Sequence, residues 1–294
     1  MKIGICAGLL LVTVSSVAAF AQGTPIKLAN VAELSGGGAT VGTNWKDGID
    51  LAIEEVNAKG GILGRKLEVT HADSQSNPGV ARAQVQKALD SEPYVLLGPG
   101  YSGSVKVTSP LAAEAGQADF AADVSKIKAA APDAVFVYVN EEESARMLKE
   151  LKRQAISVPL MGETTLVGQK VVELAGDAAN GARGHVGLTT DAPVDLIKAF
   201  REKFVKKYNY VPDHNGLKGY LAIYMIKATT EKMGKVDAKA FADNLHGLTI
   251  KAASEPGILM DVTFDEKGDI DRQGFLVEIV DGKQVVKQVL PKLN

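Results

Sequence analysis

Apolar positions along the chain switch between two spacings. Ile26 to Leu34 is a near-continuous apolar run and reads as a buried strand, followed by the loop Ser35-Gly36-Gly37-Gly38-Ala39-Thr40-Val41-Gly42. Trp45, Ile49, Ala52, Ile53 and Val56 then recur at helical spacing until Gly60-Gly61 stops them. The rhythm continues with strand Leu67 to His71, a helix opened by Asn77-Pro78 as cap and first-turn proline, strand Tyr94 to Leu97 and a helix Ser102 to Ala115. Phe120, Val124 and Ile127 mark the next helix face. Strand Ala134 to Val139, helix Glu141 to Gln154, strand Val158 to Met161, helix Val167 to Leu174 and strand His185 to Leu188 follow. The end differs, with helical stretches Val194 to Tyr208 and Leu217 to Met233, a shorter one from Ala238, and a β-rich tail Phe275 to Leu290 turning at Asp281-Gly282. Strands alternating with helices predict an α/β fold of parallel sheets.

Composition narrows the function classes. The 294 residues are 46% hydrophobic and 23% charged, enough for one large or two ordinary domains. A net charge of −2 lacks the basic excess that phosphate-backbone binding needs, so nucleic acid is not expected as a partner. The single cysteine, Cys6, excludes an internal disulfide and a cysteine-based zinc cluster. Lys2, the apolar stretch Ile3 to Val17 and Ala19-Phe20-Ala21 read as an export signal cleaved after Ala21. Cleavage leaves a cysteine-free chain of 273 residues, suited to an oxidising compartment.

Open α/β sheets bind ligands at the carboxyl ends of their strands, so the strand-to-helix turns carry the candidate chemistry. Ser35 to Gly42 matches neither the dinucleotide nor the phosphate-loop glycine pattern. Gly98-Pro99-Gly100-Tyr101-Ser102-Gly103-Ser104 sets Ser102 where a helix begins. Ser102 there is open to three readings: a plain N-cap, an anchor for a carboxylate together with free amides, or a hydrolase nucleophile in a G-x-S-x-G turn whose last position is Ser104. The four histidines, His71, His185, His214 and His246, are scattered and form no metal-ligand pair. Strand Ala134 to Val139 ends at Asn140 with Glu141, Glu142 and Glu143, acids that a helix dipole accounts for. Glu163, before Thr164 and Thr165, ends another strand and either pairs with a substrate ammonium or is structural. Asp265 to Asp271 lacks the order of a calcium loop and reads as a turn.

Several stretches resemble one family. Asn57-Ala58-Lys59-Gly60-Gly61-Ile62-Leu63-Gly64-Arg65-Lys66-Leu67, Asp73, Asn77-Pro78, Gly98 to Ser104, Leu174 to Gly181 and Phe264 to Asp269 are similar to the leucine/isoleucine/valine-type periplasmic binding proteins of ABC importers. The resemblance implies a type I binding-protein fold: two doubly wound parallel-sheet lobes joined by a hinge and closing on a ligand. It implies a periplasmic, monomeric receptor for a branched-chain amino acid or a related small carboxylate or amide. Such a receptor delivers to an inner-membrane permease, with no cofactor, metal or enzymatic step. By position, Ser102 matches the carboxylate-binding serine, with Tyr101, Gly103 and Ser104 beside it. Val41 matches a wall position, Asn140 a second pocket position, and Thr164 the place of the ammonium-binding acid, with Glu163 one residue earlier. The implied units are signal 1–21, N-terminal lobe 22–117, and C-terminal lobe 118–294 with terminal helices and a β tail returning toward the first lobe. The match breaks near residues 116–118, where Gly116 runs directly into a segment that belongs well inside the second lobe. At about 30 residues per βαβ unit, roughly 60–90 residues are absent there. The alternatives are a periplasmic serine hydrolase using Ser102 and a truncated remnant that binds nothing.

Overall fold

The computed structural model describes residues 23–98 and 119–292. Tyr101, Ser102, Gly103 and Ser104, the expected helix after them and the expected export signal lie outside the described residues.

Strand β1 (Ile26–Ala32) is buried at every position but Lys27, and it lies between its parallel partners β2 (Leu67–Asp73) and β3 (Val95–Leu97). Burial on both faces explains why its sequence is a continuous apolar run rather than an alternation. Helix α1 (Ala39–Ala58) follows β1, and its predicted stripe Ile49, Ala52, Ile53 and Val56 is buried. Gly61, at φ +82°, is required in the turn after it, because a methyl group there would stand 1.9 Å from the Arg65 carbonyl oxygen. Helix α2 (Pro78–Leu89) begins as the Asn77-Pro78 signal predicts: Asn77 Oδ1 accepts from the Gly79 and Val80 amides at 2.8 and 3.1 Å. Several residues that carry the family resemblance are structural. Asn57 brackets Leu67 by accepting from its amide and donating to its carbonyl, and Asp73 accepts from the Leu34, Ser35 and Gln75 amides.

Helix α3 (Ala121–Ala130) leads into a second sheet of order β11-β10-β6-β5-β4. Strands β4 (Val135–Val137), β5 (Leu160–Glu163) and β6 (Arg183–Val186) are parallel, while β10 (Gly274–Val280) and β11 (Lys283–Leu290) add an antiparallel hairpin beside β6. Asp281 and Gly282, both at positive φ, make the tight turn expected of that dipeptide. Helix α4 (Glu141–Arg153) follows β4. After β5 come α5 (Thr164–Val167) and α6 (Gln169–Ala175), a helix pair where the sequence suggests one helix. Leu166 and Val167 lean onto Gly162 and Gly184, which have no side chain to hold them off. One sheet face is thereby covered. On the other, Phe136 and Tyr138 of the β4 segment are 65% and 67% exposed, and among the described residues no strand pairs with the outer side of β4. β3 is likewise at a sheet edge.

Helix α7 (Asp195–Tyr208) is followed by α8 (His214–Met233), which leaves the second sheet and packs along α1. The contact is backbone to backbone: a methyl group at Gly48 would stand 2.1 Å from the Gly216 carbonyl oxygen, and one at Gly219 would stand 2.2 Å from that of Trp45. Glu55 of α1 accepts hydrogen bonds from the Tyr220 and Tyr224 hydroxyls at 2.7 and 2.8 Å and pairs with Lys203. Tyr94, just before β3, bonds Thr230 and meets the ring of Phe241 in α9 (Ala238–Asp243). It is thus helix 214–233 that joins the first lobe, whereas the β tail is built into the second lobe's sheet. The pairing of β10 with β6 satisfies the tail's backbone there. Short strands β7 (Thr249–Ile250), β8 (Val262–Phe264) and β9 (Ile270–Asp271) form a small antiparallel sheet between these segments. Asp265 Oδ1 closes the predicted turn by accepting from the Lys267 and Asp269 amides. Among the described residues no helix is long and apolar enough to cross a membrane.

Candidate functional site

Parallel pairing puts the carboxyl ends of β4, β5 and β6 side by side, and the expected second-lobe site residues fall there. Asn140 precedes α4; its carbonyl accepts from Ser144, but its side chain makes no capping bond. Glu163 closes β5, its exposed side chain making no hydrogen bond or ion pair among the described residues, and Thr164 opens α5. Thr165 Oγ1 and Glu143 Oε2, close to them in sequence, are buried without a partner among the described residues. Buried polar groups are ordinarily paired, so a cluster of unpaired ones is informative. Val41 lies elsewhere, buried in the first turn of α1.

Across from these strand ends stand the leading turns of α1 and α8. A methyl group at Gly37 would meet Glu142 Oε1 at 2.7 Å, so the glycine loop before α1 faces the start of α4. Gly42 is needed for a different reason: a methyl group there would stand 2.1 Å from the Glu33 carbonyl oxygen. Asp213 caps α8, accepting from the Asn215 and Gly216 amides, and its own amide donates to Asn44 of α1. Gly168, after α5, is the meeting point: a methyl group there would stand 2.9 Å from Glu141 Oε1 and 3.7 Å from His214 Cε1.

The ionisable groups around Gly168 are strongly perturbed. Burial pushes the Glu141 carboxyl up to about 7, helped by the charge of Asp213 and opposed by Lys218 and Lys170. Burial likewise raises Asp213, against the hydrogen bonds it accepts from Asn215. Burial and Lys218 depress His214 to about 3, leaving a neutral imidazole. Lys218 is lowered, first by burial. Its side chain is exposed to water. Burial brings Arg272 down to about 10; its guanidinium lies beside Gly187, past the end of β6. Neither Lys218 nor Arg272 was picked out by sequence reasoning, since both come to the site through long-range packing. Glu141 was accounted for by the helix dipole, and no local signal marks it otherwise.

A cavity of about 820 Å³ opens on the neighbouring flank, lined by Thr40, Asn44, Gln169, Thr190, Arg201 and His214 among others. It shares His214 with the cluster, but none of Val41, Asn140, Glu163 and Thr164 lines it. Among the described residues no cluster of three metal-ligating side chains occurs.

A family model described as periplasmic binding protein matches residues 25–117 and 104–284. The chain is 26% identical over 169 residues to a Leu/Ile/Val-binding protein homolog of Brucella abortus, covering 55% of this chain and 42% of that protein. It is 25% identical over 219 residues to a leucine-, isoleucine-, valine-, threonine- and alanine-binding protein of Pseudomonas aeruginosa, covering 72% of this chain and 52% of that one. The chain thus spans about half the length of the curated relatives it matches. Among solved structures, a leucine binding protein from Thermotoga maritima superposes with a TM-score of 0.78 at 17% identity, over 90% of this chain and 99% of that one. A benzoate complex of an ABC-transporter solute binding protein from Rhodopseudomonas palustris gives 0.73 at 16% identity, over 92% and 97%. With its sheets, its strand-end cluster and a family match along nearly all the described residues, the chain belongs to the periplasmic binding protein family, similar within it to the leucine/isoleucine/valine-binding members.

Proposed function

We propose that this protein is an extracytoplasmic solute receptor of an ABC importer. It is exported by its N-terminal signal, works as a monomer, performs no chemistry, and hands a branched-chain amino acid or a related small carboxylate or amide to an inner-membrane permease. The observation that carries this reading is the group of polar side chains at adjacent strand ends, Asn140, Glu163 and Thr165, none with a hydrogen-bond partner among the described residues. Ser102 is the proposed carboxylate anchor, with Tyr101, Gly103 and Ser104 in its loop and Val41 and Thr164 as further contacts. The names of the relatives point to both amino acids and aromatic acids as ligand classes. A thermal-shift screen against amino acids, amides, urea and aromatic acids tests the reading. A ligand at about 100-fold over its Kd should stabilise by about 2.7 kcal/mol. A cooperative melt that no compound moves refutes the receptor, and ester turnover lost in Ser102→Ala would establish a hydrolase instead.

A second reading rests on a separate observation. β3 and β4, the strands flanking residues 116–118 in sequence, are both edge strands. The two family-model matches also meet at residues 104–117. These support an internal loss of roughly 60–90 residues, about two βαβ units, and a remnant impaired in folding or binding. Resequencing the locus tests it: an intact longer reading frame there would refute a deletion in the gene, and a melt as sharp and stable as that of full-length relatives would speak against impairment.

A further inference from the structure

We propose that Arg272 is an anion-binding residue, so that the ligand carries an acidic group at the end it presents to the second lobe, in addition to the carboxylate assigned to the first. The inference rests on the receptor reading above and specifies its ligand class: a dicarboxylate, or an amino acid with an acidic side chain. Arg272 lies between β9 and β10, half-buried, and makes no hydrogen bond and no ion pair among the described residues. A guanidinium stays charged and can only donate, and a charge withdrawn from water is normally paired. Here no carboxylate acts on it even at a distance, and burial alone brings it down to about 10. The edge formed by Nε and Nη2, which can grip a carboxylate through two parallel bonds, lies beside the backbone of Gly187: a methyl group there would stand 3.6 Å from Nη2 and 3.7 Å from Nε. Gly187 comes directly after β6, at the carboxyl end of that strand, and without a side chain it leaves the edge uncovered. Lys218 of α8 brings a second positive charge, close enough for Arg272 to lower it. Glu141 of α4 and Asp213 before α8 act on Lys218 from a distance, but no acid bonds it, and His214 is neutral. Two cations therefore meet near the end of β6 with no anion bonded to either. An oxyanion there would relieve their mutual repulsion, and the planar fork of arginine suits a carboxylate.

The test is isothermal titration of the purified chain with pairs that differ only in that acidic group: L-glutamate against L-glutamine, L-aspartate against L-asparagine, and succinate and glutarate against their monoamides, with L-leucine and benzoate alongside. At least one acid should bind about 30-fold or more tightly than its amide, the difference expected when one partner of a buried charge pair is removed. Arg272→Met should bring that acid down to the level of its amide and leave the amide little changed. Without ligand, Arg272→Met should melt no lower than the unmodified chain, because an unpaired buried charge adds nothing to stability, whereas an arginine serving the fold would be missed. Equal binding of every acid and its amide overturns the proposal and leaves the receptor standing, as does binding of leucine or benzoate alone. An Arg272→Met that keeps the preference, melts lower or fails to fold overturns it as well. Silence toward every compound refutes the receptor itself, and this ligand class with it.

Discussion

Gly48→Ala puts the docking of α8 on α1 to a quantitative test. In an isolated helix the change is favourable by about 1 kcal/mol, because alanine restricts the unfolded chain and suits the helix. Here the new methyl group would sit 2.1 Å from the Gly216 carbonyl oxygen and 3.0 Å from the Tyr220 amide nitrogen, both backbone atoms that cannot rotate away. Ordinary contact begins near 3.4 Å, so the helices must separate by about 1 Å or more. Overpacking of that kind costs about 1–3 kcal/mol. The separation also stretches the bonds from Tyr220 and Tyr224 to Glu55, now 2.7 and 2.8 Å, and bonds to a charged group are worth about 1.5–3 kcal/mol each. Repulsion outweighs propensity, and a net loss of about 2–4 kcal/mol follows. At about 2–4 °C per kcal/mol the melting temperature should fall by roughly 5–15 °C, read by far-ultraviolet circular dichroism. A variant melting at or above the parent temperature would refute the backbone contact.

Other outcomes follow from single features. His71→Leu should cost about 1–3 kcal/mol in chemical denaturation, since His71 links Asn30 and Asp50 at 2.8 Å each and its loss strands the buried Asn30 amide. Phe136→Lys with Tyr138→Lys should reduce light scattering at high protein concentration, because both are exposed beside an open edge strand. Stability should change by less than about 0.5 kcal/mol per site. Because the folded-state pKa of Glu141 lies above its unfolded value of 4.5, the folded chain holds the extra proton between pH 4.5 and about 7. Its contribution to stability therefore falls as pH rises through that window and is flat above it. Glu141→Gln should remove that slope from a plot of melting temperature against pH.

Local chemistry made most elements legible. Asn77-Pro78 starts α2 and Asp281-Gly282 turns the hairpin because capping and positive φ are decided within a few residues. Helix α8 begins at His214, three residues before the start at Leu217 that the apolar spacing predicts. Its first turn, His214-Asn215-Gly216, carries no apolar signal, and its glycines look unsuited to a helix until the backbone of α1 is seen against them. β7 and β9, two residues each, are too short for any periodicity. The placement of Asn140, Glu163 and Thr164 at or beside strand ends is legible because strand ends can be read from sequence. Glu141 was not singled out, because what distinguishes it, Gly168 and His214 at its flank, arrives from other parts of the chain.

The clasp between Glu55 and Tyr220 joins residues 165 positions apart. As the chain emerges from synthesis or from a translocation pore, the face of α1 that carries Gly48 and Glu55 stays uncovered until helix 214–233 has followed it. The first lobe therefore begins first yet waits for a segment from the last third of the chain. Loss of the final third of the chain would damage the amino-terminal half as surely as the carboxy-terminal one, and proteolysis of such truncated forms should begin within residues 39–58.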